Sequence, residues 1–149
     1  MDKKRNEKSN NQITGNIGLF YTCYQLSKLG WNCLPTTRNT KGIDIIIYSQ
    51  NAKRKYTIQV KSLSEINAVP MGKNKDIIAD FLVIVVNVYK DKPDVFILTK
   101  EEAEDMIDER HKKDESRKED ETSYWIQKNK YNSDKYKNKW DKIGRGDED

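Results

Sequence analysis

GIDIIIYSQNAKRKYTIQVKS, residues 42–62, is the stretch that decides how this chain folds. It contains two runs rich in β-branched residues, 43–48 and 55–62, and a short polar segment, 49–54, lies between them. β-Branched side chains favour strands, whereas a row of Ser, Gln, Asn and Lys is typical of a turn. The stretch therefore predicts a β-hairpin.

Three polar side chains interrupt the apolar pattern of this hairpin. If Tyr48 pairs with Lys55 across the turn, Asp44 stands opposite Gln59. Because side chains alternate along a strand, Gln59 and Lys61 then share the face on which Asp44 points. A carboxylate buried among apolar residues is costly unless a cation balances it, so the cluster indicates a functional site. Four aliphatic residues are predicted to point to the opposite face: Ile43, Ile45, Ile58 and Val60.

The chemistry that suits such a cluster is the hydrolysis of phosphodiester bonds. The carboxylate of Asp44, the amide oxygen of Gln59 and the backbone carbonyl of Val60 are ligands that Mg²⁺ or Mn²⁺ accepts. A bound divalent ion activates water and neutralises the charge that develops on phosphorus. Lys61 can orient the attacking water or stabilise the phosphate, and its charge compensates that of Asp44.

Gly42 to Asp44, followed after a turn by Ile58 to Ser62, resembles the D…(E/Q)xK signature of the PD-(D/E)XK nuclease superfamily, which includes restriction endonucleases and archaeal Holliday junction resolvases. The resemblance extends over residues 13–98, since the helix ending at 28–31 is similar to the first helix of that fold and the apolar strand 81–88 suits its central sheet. It implies a restriction endonuclease-like α/β fold, with a central mixed β-sheet flanked by helices. It also implies a Mg²⁺-dependent endodeoxyribonuclease. We expect this enzyme to act on DNA as a homodimer, because so small a domain has little room for target recognition.

Two features depart from the family's pattern. Gln59 stands where the family usually has Glu, which keeps an oxygen ligand but removes a negative charge, so we expect weaker metal binding. The family also often supplies an acid from its first helix, and no Asp or Glu occurs between Glu7 and Asp44. Four residues are candidate substitutes for that acid: Asn16 and Gln12 on the helix, and Glu65 and Asp80 elsewhere.

Basic residues are concentrated in the first half of the chain. Residues 1–75 carry thirteen Lys and Arg against four Asp and Glu, whereas residues 76–149 carry fifteen against twenty. A cationic region attracts polyanions, of which nucleic acid is the commonest, although solubilising lysines produce the same bias. Five residues are predicted to contact nucleic-acid phosphates, with solvated surface charge as the alternative for the basic ones: Arg38, Lys41, Ser62, Lys73 and Lys75.

The chain is predicted to form one cytoplasmic domain, 12–144, with a flexible basic arm at 1–11 and a disordered acidic tail at 145–149. It contains no apolar run of roughly 18 residues and no secretory signal. Cys23 and Cys33 lack CxxC or His companions, so we interpret them as reduced packing residues.

Helices and further strands are predicted from hydropathy patterns. A mostly buried helix is predicted at 13–29, with its core face at Ile13, Ile17, Phe20, Tyr21 and Tyr24, widened by Leu19, Cys23 and Leu26. Strands are predicted at 31–35, 81–88, 94–98 and 123–127, all in one central sheet. Thr99 and Glu102 predict a capping box, and Tyr136, Trp140 and Ile143 predict a closing helix. Residues 111–121 are predicted to be a solvated segment in which His111 is a surface residue and not a metal ligand.

Three functions remain open from the sequence. The first is a metal-dependent DNA endonuclease, which requires a metal site that is lost in Asp44→Asn. The second is a catalytically inactive nuclease-fold protein that binds nucleic acid or a partner, with salt-sensitive binding indifferent to divalent metal. The third is a structural or interaction domain in which Asp44 and Lys61 merely pair across the hairpin, so that replacing both with apolar residues leaves stability intact.

Overall fold

The computed structural model describes residues 3–37, 41–110 and 123–148, and these form a mixed α/β fold. The elements in chain order are α1 (Lys3–Lys28), β1 (Asn32–Pro35), β2 (Ile45–Tyr48), β3 (Lys55–Ser62), β4 (Val69–Gly72), β5 (Phe81–Val86), β6 (Asp94–Thr99), α2 (Lys100–Met106), β7 (Ile107–Arg110), β8 (Ser123–Ile126) and α3 (Lys128–Tyr131). A central mixed sheet flanked by helices is confirmed. No helix in the described ranges combines the length and the apolar character needed to cross a membrane.

The central sheet has five strands in the order β1-β2-β3-β5-β6. Strands β3 and β5 are parallel, and the other neighbours are antiparallel. All six residues of β5 are buried, because both faces of the sheet are covered at its centre. The first core, on the α1 side, includes Leu26, Ile45, Ile58, Val83 and Val85. The second core, on the other side, includes Leu82, Ile84, Ala103, Met106 and Ile126.

The predicted register of the hairpin is confirmed, because Tyr48 stands opposite Lys55. Ile45 and Ile58 belong to the first core and Val60 packs against it, as expected. The prediction for Ile43 is wrong, since this side chain packs against the second core. Ile43 precedes β2, and the alternation of side chains applies only once the chain has entered the strand.

The predicted core face of α1 is confirmed only in part. The predicted residues that pack in or against the first core are Ile17, Leu19, Tyr21, Cys23 and Leu26. Ile13, Phe20 and Tyr24 are 46%, 61% and 59% exposed. The most buried helix residues lie instead at every fourth position: Thr14, Gly18, Thr22 and Leu26. Small side chains on this stripe let the helix approach the sheet closely. A Cβ atom at Gly18 would lie only 1.8 Å from the hydroxyl oxygen of Ser62.

The helix also begins earlier than predicted. It starts at Lys3, inside the segment 1–11 for which we predicted a flexible arm. Once a helix is nucleated, each further residue adds one backbone hydrogen bond, and polar residues such as Lys, Arg, Glu and Gln propagate it well. The lack of apolar periodicity in residues 3–11 is therefore compatible with a helix.

A second sheet, of three strands in the order β4-β8-β7, was not predicted. Of its strands, the sequence indicated only β8. β4 contains a proline and a glycine, and β7 reads IDER, so neither has the composition of a strand. Val69 of β4 and Ile126 of β8 are fully buried in the second core, and this burial specifies the pairing.

The end of the chain contradicts two further predictions. The closing helix is replaced by a single turn of 3-10 helix, Trp140–Lys142, between Asn138 and Gly144, whose φ angles of 54° and 85° lie in the left-handed region. The predicted disordered tail is instead bound to the domain through its backbone. Gly146 N donates to Leu29 O over 2.9 Å, and Gln50 N donates to Gly146 O over 2.8 Å.

Candidate functional site

Asp44 is fixed at the point where β2 begins. Its backbone N–H donates to Ile58 O over 2.8 Å, and its Oδ2 accepts a hydrogen bond from Val60 N over 2.7 Å. The side chain thus takes the place of a backbone acceptor just beyond the end of the β2–β3 ladder. Thr36 holds the same residue from the loop side, because its N–H donates to Asp44 O over 2.9 Å.

Gln59 and Lys61 lie next to each other on one face of β3. In the parallel register with β5 they stand beside Leu82 and Ile84, which belong to the second core. Both polar residues are half-buried. The Asp44 carboxylate lies near enough to Lys61 to act on its pKa, and the hydrogen bond from Val60 N holds it beside this part of β3. We call these three residues the Asp44 cluster.

The electrostatics of the cluster are governed by the burial of Lys61. Removal of the ammonium group from water lowers the pKa of Lys61, and the negative charge of Asp44 opposes that shift. The carboxylate is therefore close enough to act on the lysine, but it does not fully offset the cost of burial. Lys61 carries an incompletely compensated charge on a partly covered face of the sheet.

Asp44 and the facing part of β3 carry oxygen atoms of the kind that bind a hard cation. They are the Asp44 carboxylate, the amide oxygen of Gln59 and the carbonyl of Val60, which points to the same side of the strand as the Val60 N–H. This set fits Mg²⁺, which binds through few protein ligands and retains water. Within the described ranges, no three His, Cys, Asp or Glu side chains form a group that could hold a metal ion.

No protein-family model and no curated protein matches the chain. Among solved structures, it is similar to that of a bacterial homing endonuclease, I-Ssp6803I, with a TM-score of 0.55 and 15% identity. The likeness covers 89% of this chain and 91% of the endonuclease chain. The two chains share a fold. At this identity the similarity concerns the arrangement of helices and strands and not the chemistry of any residue.

Two predicted site residues lie away from the Asp44 cluster. Ser62 follows Lys61 on the strand and therefore points to the opposite face, where its hydroxyl lies against Gly18 of α1. Asn16 is exposed, and the helical repeat places it on the side of α1 turned away from the sheet. Arg38 lies outside the described residues.

The predicted lysines occupy loops at the border of the cluster. Lys41, Lys73 and Lys75 are all exposed. Ile78 lies above Gly42, because a Cβ atom at this glycine would be 3.6 Å from the end of the isoleucine side chain. The loop after β4 therefore lies beside the loop that leads into Asp44, and both loops carry lysines.

The remaining candidates to replace the missing acid of the first helix do not join the cluster. Asp80 is held by Thr57, whose N–H and hydroxyl lie 2.8 and 3.2 Å from Asp80 Oδ2. Glu65 and Gln12 are exposed, one beyond the end of β3 and the other on α1. Within the described residues, Asp44 thus supplies the carboxylate of the cluster.

Thr36 is a positioning residue that the sequence reasoning missed. Besides its contact with Asp44 O, its hydroxyl donates to Ile43 O over 2.6 Å. These two bonds fix the backbone on either side of the Asp44 peptide. The sequence did contain a signal for this role, since a threonine at the start of a polar loop often forms hydrogen bonds with nearby backbone.

Proposed function

We propose that this chain is a metal-dependent nuclease that hydrolyses DNA phosphodiester bonds at the Asp44 cluster. The observation that carries the proposal is a half-buried lysine that shares one face of β3 with Gln59 and lies within reach of the charge of Asp44. A lysine whose pKa is lowered by burial is costly for a fold and is typical of sites that handle charge. The fold shared with a homing endonuclease supports the same assignment.

Asp44, Gln59 and the Val60 carbonyl would hold Mg²⁺ or Mn²⁺. When bound, the ion lowers the pKa of water and neutralises negative charge on the scissile phosphate. Asp44 supplies the one full negative charge of this set, and the hydrogen bond from Val60 N fixes its orientation. Because the other donors are neutral, we expect an affinity weaker than that of a site with two carboxylates.

Lys61 would stabilise the charge that develops on the phosphate. Its partial burial makes its field stronger, since less water screens it. Asp44 favours the protonated form and so acts against the loss of that charge through burial. Lys61 and Asp44 thus have complementary roles towards a phosphate that approaches the open side of the cluster.

The exposed lysines would contact phosphates on either side of the scissile bond. Lys41, Lys73 and Lys75 are solvated, so each contact is weak and readily screened by salt. Arg38 belongs to the same proposal. DNA affinity should therefore fall steeply as salt is raised, largely independently of sequence.

The decisive experiment is DNA cleavage by site variants. Plasmid, linear and branched DNA are incubated with the protein and Mg²⁺ or Mn²⁺, and we expect Asp44→Asn and Lys61→Met to lose cleavage by at least about 100-fold. Lys55→Met is the matched control, because Lys55 lies on the same strand and face but is exposed. Cleavage by Asp44→Asn and Lys61→Met at the wild-type rate would refute the proposal.

A second candidate, DNA binding without hydrolysis, is favoured because no second acid joins the cluster within the ranges that the structure describes. Calorimetric titration with Mn²⁺ separates the two. A nuclease site gives binding heat that disappears in Asp44→Asn and persists in Asp76→Asn, an exposed control. A protein that only binds DNA gives salt-sensitive affinity with no effect of the metal.

We also propose that the protein acts as a homodimer. One cluster cuts one strand, so cutting both strands of a duplex requires a second copy. Ile13, Phe20 and Tyr24 form an exposed apolar strip on α1 that a second α1 would cover. Sedimentation equilibrium should show a dimer that Phe20→Glu converts to a monomer and Ile78→Glu does not. A wild-type protein that is monomeric at all concentrations would contradict this.

A further inference from the structure

Two cysteines lie together where α1 meets β1. Cys23 and Cys33 are both free and half-buried. Cys33 Sγ lies 3.8 Å from the backbone oxygen of Cys23, and the Ser27 hydroxyl lies 3.8 Å from the same sulfur. The two residues are therefore neighbours in space, although ten positions and the turn at Gly30 separate them in sequence.

The two thiols have opposite ionisation tendencies. A hydrogen bond from the Cys23 thiol lowers the pKa of Cys33 to about 7, with burial acting in the other direction and Ser27 adding to the stabilisation. The same contact, together with burial, raises the pKa of Cys23. Near neutral pH, Cys33 is thus present as thiolate in a substantial fraction of molecules, whereas Cys23 keeps its proton. The thiolate is the reactive form of cysteine.

This pair is separate from the Asp44 cluster. Cys33 stands opposite Ile47, and both cysteines pack against the first core. They therefore lie on the α1 side of the central sheet, whereas the Asp44 cluster faces the other side. Chemistry at the two sulfurs does not depend on the proposed nuclease function.

We propose that Cys23 and Cys33 are a redox-active thiol pair, which hydrogen peroxide converts into an intramolecular disulfide with Cys33 as the attacking thiolate. The Cys33 sulfur attacks one peroxide oxygen, the O–O bond breaks, and hydroxide leaves and takes up a proton to form water. The Cys23 sulfur then attacks the sulfenic acid on Cys33. The S–S bond forms, the S–O bond breaks, and a second water leaves with the Cys23 proton.

The overall change is balanced. Two thiols lose two electrons and two protons, and one peroxide becomes two waters. A low-molecular-weight thiol reverses the reaction by thiol–disulfide exchange. Because Cys23 adjoins the sulfenic acid, it intercepts Cys33 before a second peroxide drives it to the irreversible sulfinic state.

The test is peptide mass spectrometry of the full-length protein after treatment with a small excess of peroxide and alkylation of the remaining thiols. We expect a peptide pair joined by Cys23–Cys33, and its disappearance after addition of dithiothreitol. In Cys23→Ser, Cys33 should accumulate as a dimedone-trapped sulfenic acid. In Cys33→Ser, Cys23 should react at least about 10-fold more slowly.

Several outcomes overturn the proposal. They are a disulfide only between molecules, no disulfide while the protein remains folded by circular dichroism, or equal peroxide reactivity of Cys23→Ser and Cys33→Ser. The rate of Cys33 alkylation provides a further readout, since it should rise with pH around a midpoint near neutrality. A midpoint as high as that of an ordinary thiol counts against the proposal.

Discussion

Lys61 has a charge in a position where water is partly excluded. Burial lowers its pKa, and Asp44 offsets this only in part. Asp44 itself is anchored by Val60 N, so the compensating charge cannot turn away from the cluster. At the residue scale, the cluster thus holds a charge at the expense of stability.

We predict that replacing Lys61 with methionine removes function without weakening the fold. Methionine has a similar length and carries no charge to desolvate, so the free energy of unfolding should stay equal or rise by about 1 kcal/mol. Urea denaturation measures this change, and Lys55→Met should shift the free energy by no more than about 0.5 kcal/mol. A loss of several kcal/mol in Lys61→Met would show that Lys61 serves mainly as a structural ion-pair partner.

The stability difference between the Lys61→Met variant and the wild type should depend on pH. The folded-state pKa of Lys61 lies below its ordinary value of 10.5, so the folded chain releases this proton more readily than the unfolded chain. The penalty for the buried charge is complete below the folded pKa and fades as the pH rises towards 10.5. Urea unfolding at a series of alkaline pH values should therefore show the two proteins converging. A difference that stays constant would contradict the assignment.

At the element scale, small residues bring α1 close to the sheet, and larger apolar residues such as Ile17, Tyr21 and Leu26 pack beside them. Thr14, Gly18 and Thr22 face the sheet, and the Thr22 hydroxyl donates to Gly18 O over 2.8 Å, which satisfies it within the helix. A helix that packs through small residues approaches its partner closely and gains contacts along the backbone. The apolar strip on the other side of α1 is consequently left to solvent or to a partner.

We predict that Gly18→Ala destabilises the protein although alanine favours helix. The added Cβ would lie 1.8 Å from Ser62 Oγ and 2.7 Å from Ser62 Cβ, so the helix must shift, at a cost of about 2 kcal/mol. Thermal or urea unfolding measures the loss. Gly15→Ala is the matched control, because nothing lies within 4 Å of its added Cβ, and it should stabilise by up to about 1 kcal/mol.

Ser62→Gly should restore most of the stability of Gly18→Ala, since it removes both clashing atoms. A double-mutant cycle gives the coupling between the two positions. If the effects of the two substitutions simply add, α1 does not approach the sheet as closely as described.

At the scale of the whole molecule, the chain end locks the hairpin to the junction of α1 and β1. Trp31 Nε1 donates to Gly144 O over 2.9 Å, and Arg54 Nη2 donates to Arg145 O over 2.7 Å and also to Glu148 O. Arg54 additionally lies over the Trp31 ring, 5.1 Å from its centroid. Segments that are far apart in sequence are thereby held on one side of the fold.

We predict that deleting residues 145–149 lowers the free energy of unfolding by about 2 kcal/mol, since the backbone bonds of Gly146 and the Arg54 contacts are lost together. Gly146→Ala should act in the same direction, because its Cβ would lie 2.7 Å from Gly30 O. Glu148→Gln keeps the backbone and should be nearly neutral. Unchanged stability of the truncated protein would instead support a disordered tail.

The sequence alone determined the local features of the fold. The register of the hairpin followed from its turn and strand propensities. The capping box followed from residue spacing, and the Thr99 hydroxyl and the Glu102 side chain each bond the other's backbone as predicted. The placement of Gln59 and Lys61 on one face of β3 followed from strand alternation. These features depend on interactions over a few residues or across one turn.

Only the tertiary structure decided which side of α1 is buried, that β4 and β7 are strands, and that the chain end is bound. Each of these depends on complementarity between distant surfaces. A Cβ atom at Gly18 would lie 1.8 Å from Ser62 Oγ, so this position favours a residue without a side chain, and the hydrogen bonds of Gly146 are made by backbone atoms. Hydropathy reports the cost of exposure to water, but it does not report how closely two particular surfaces fit.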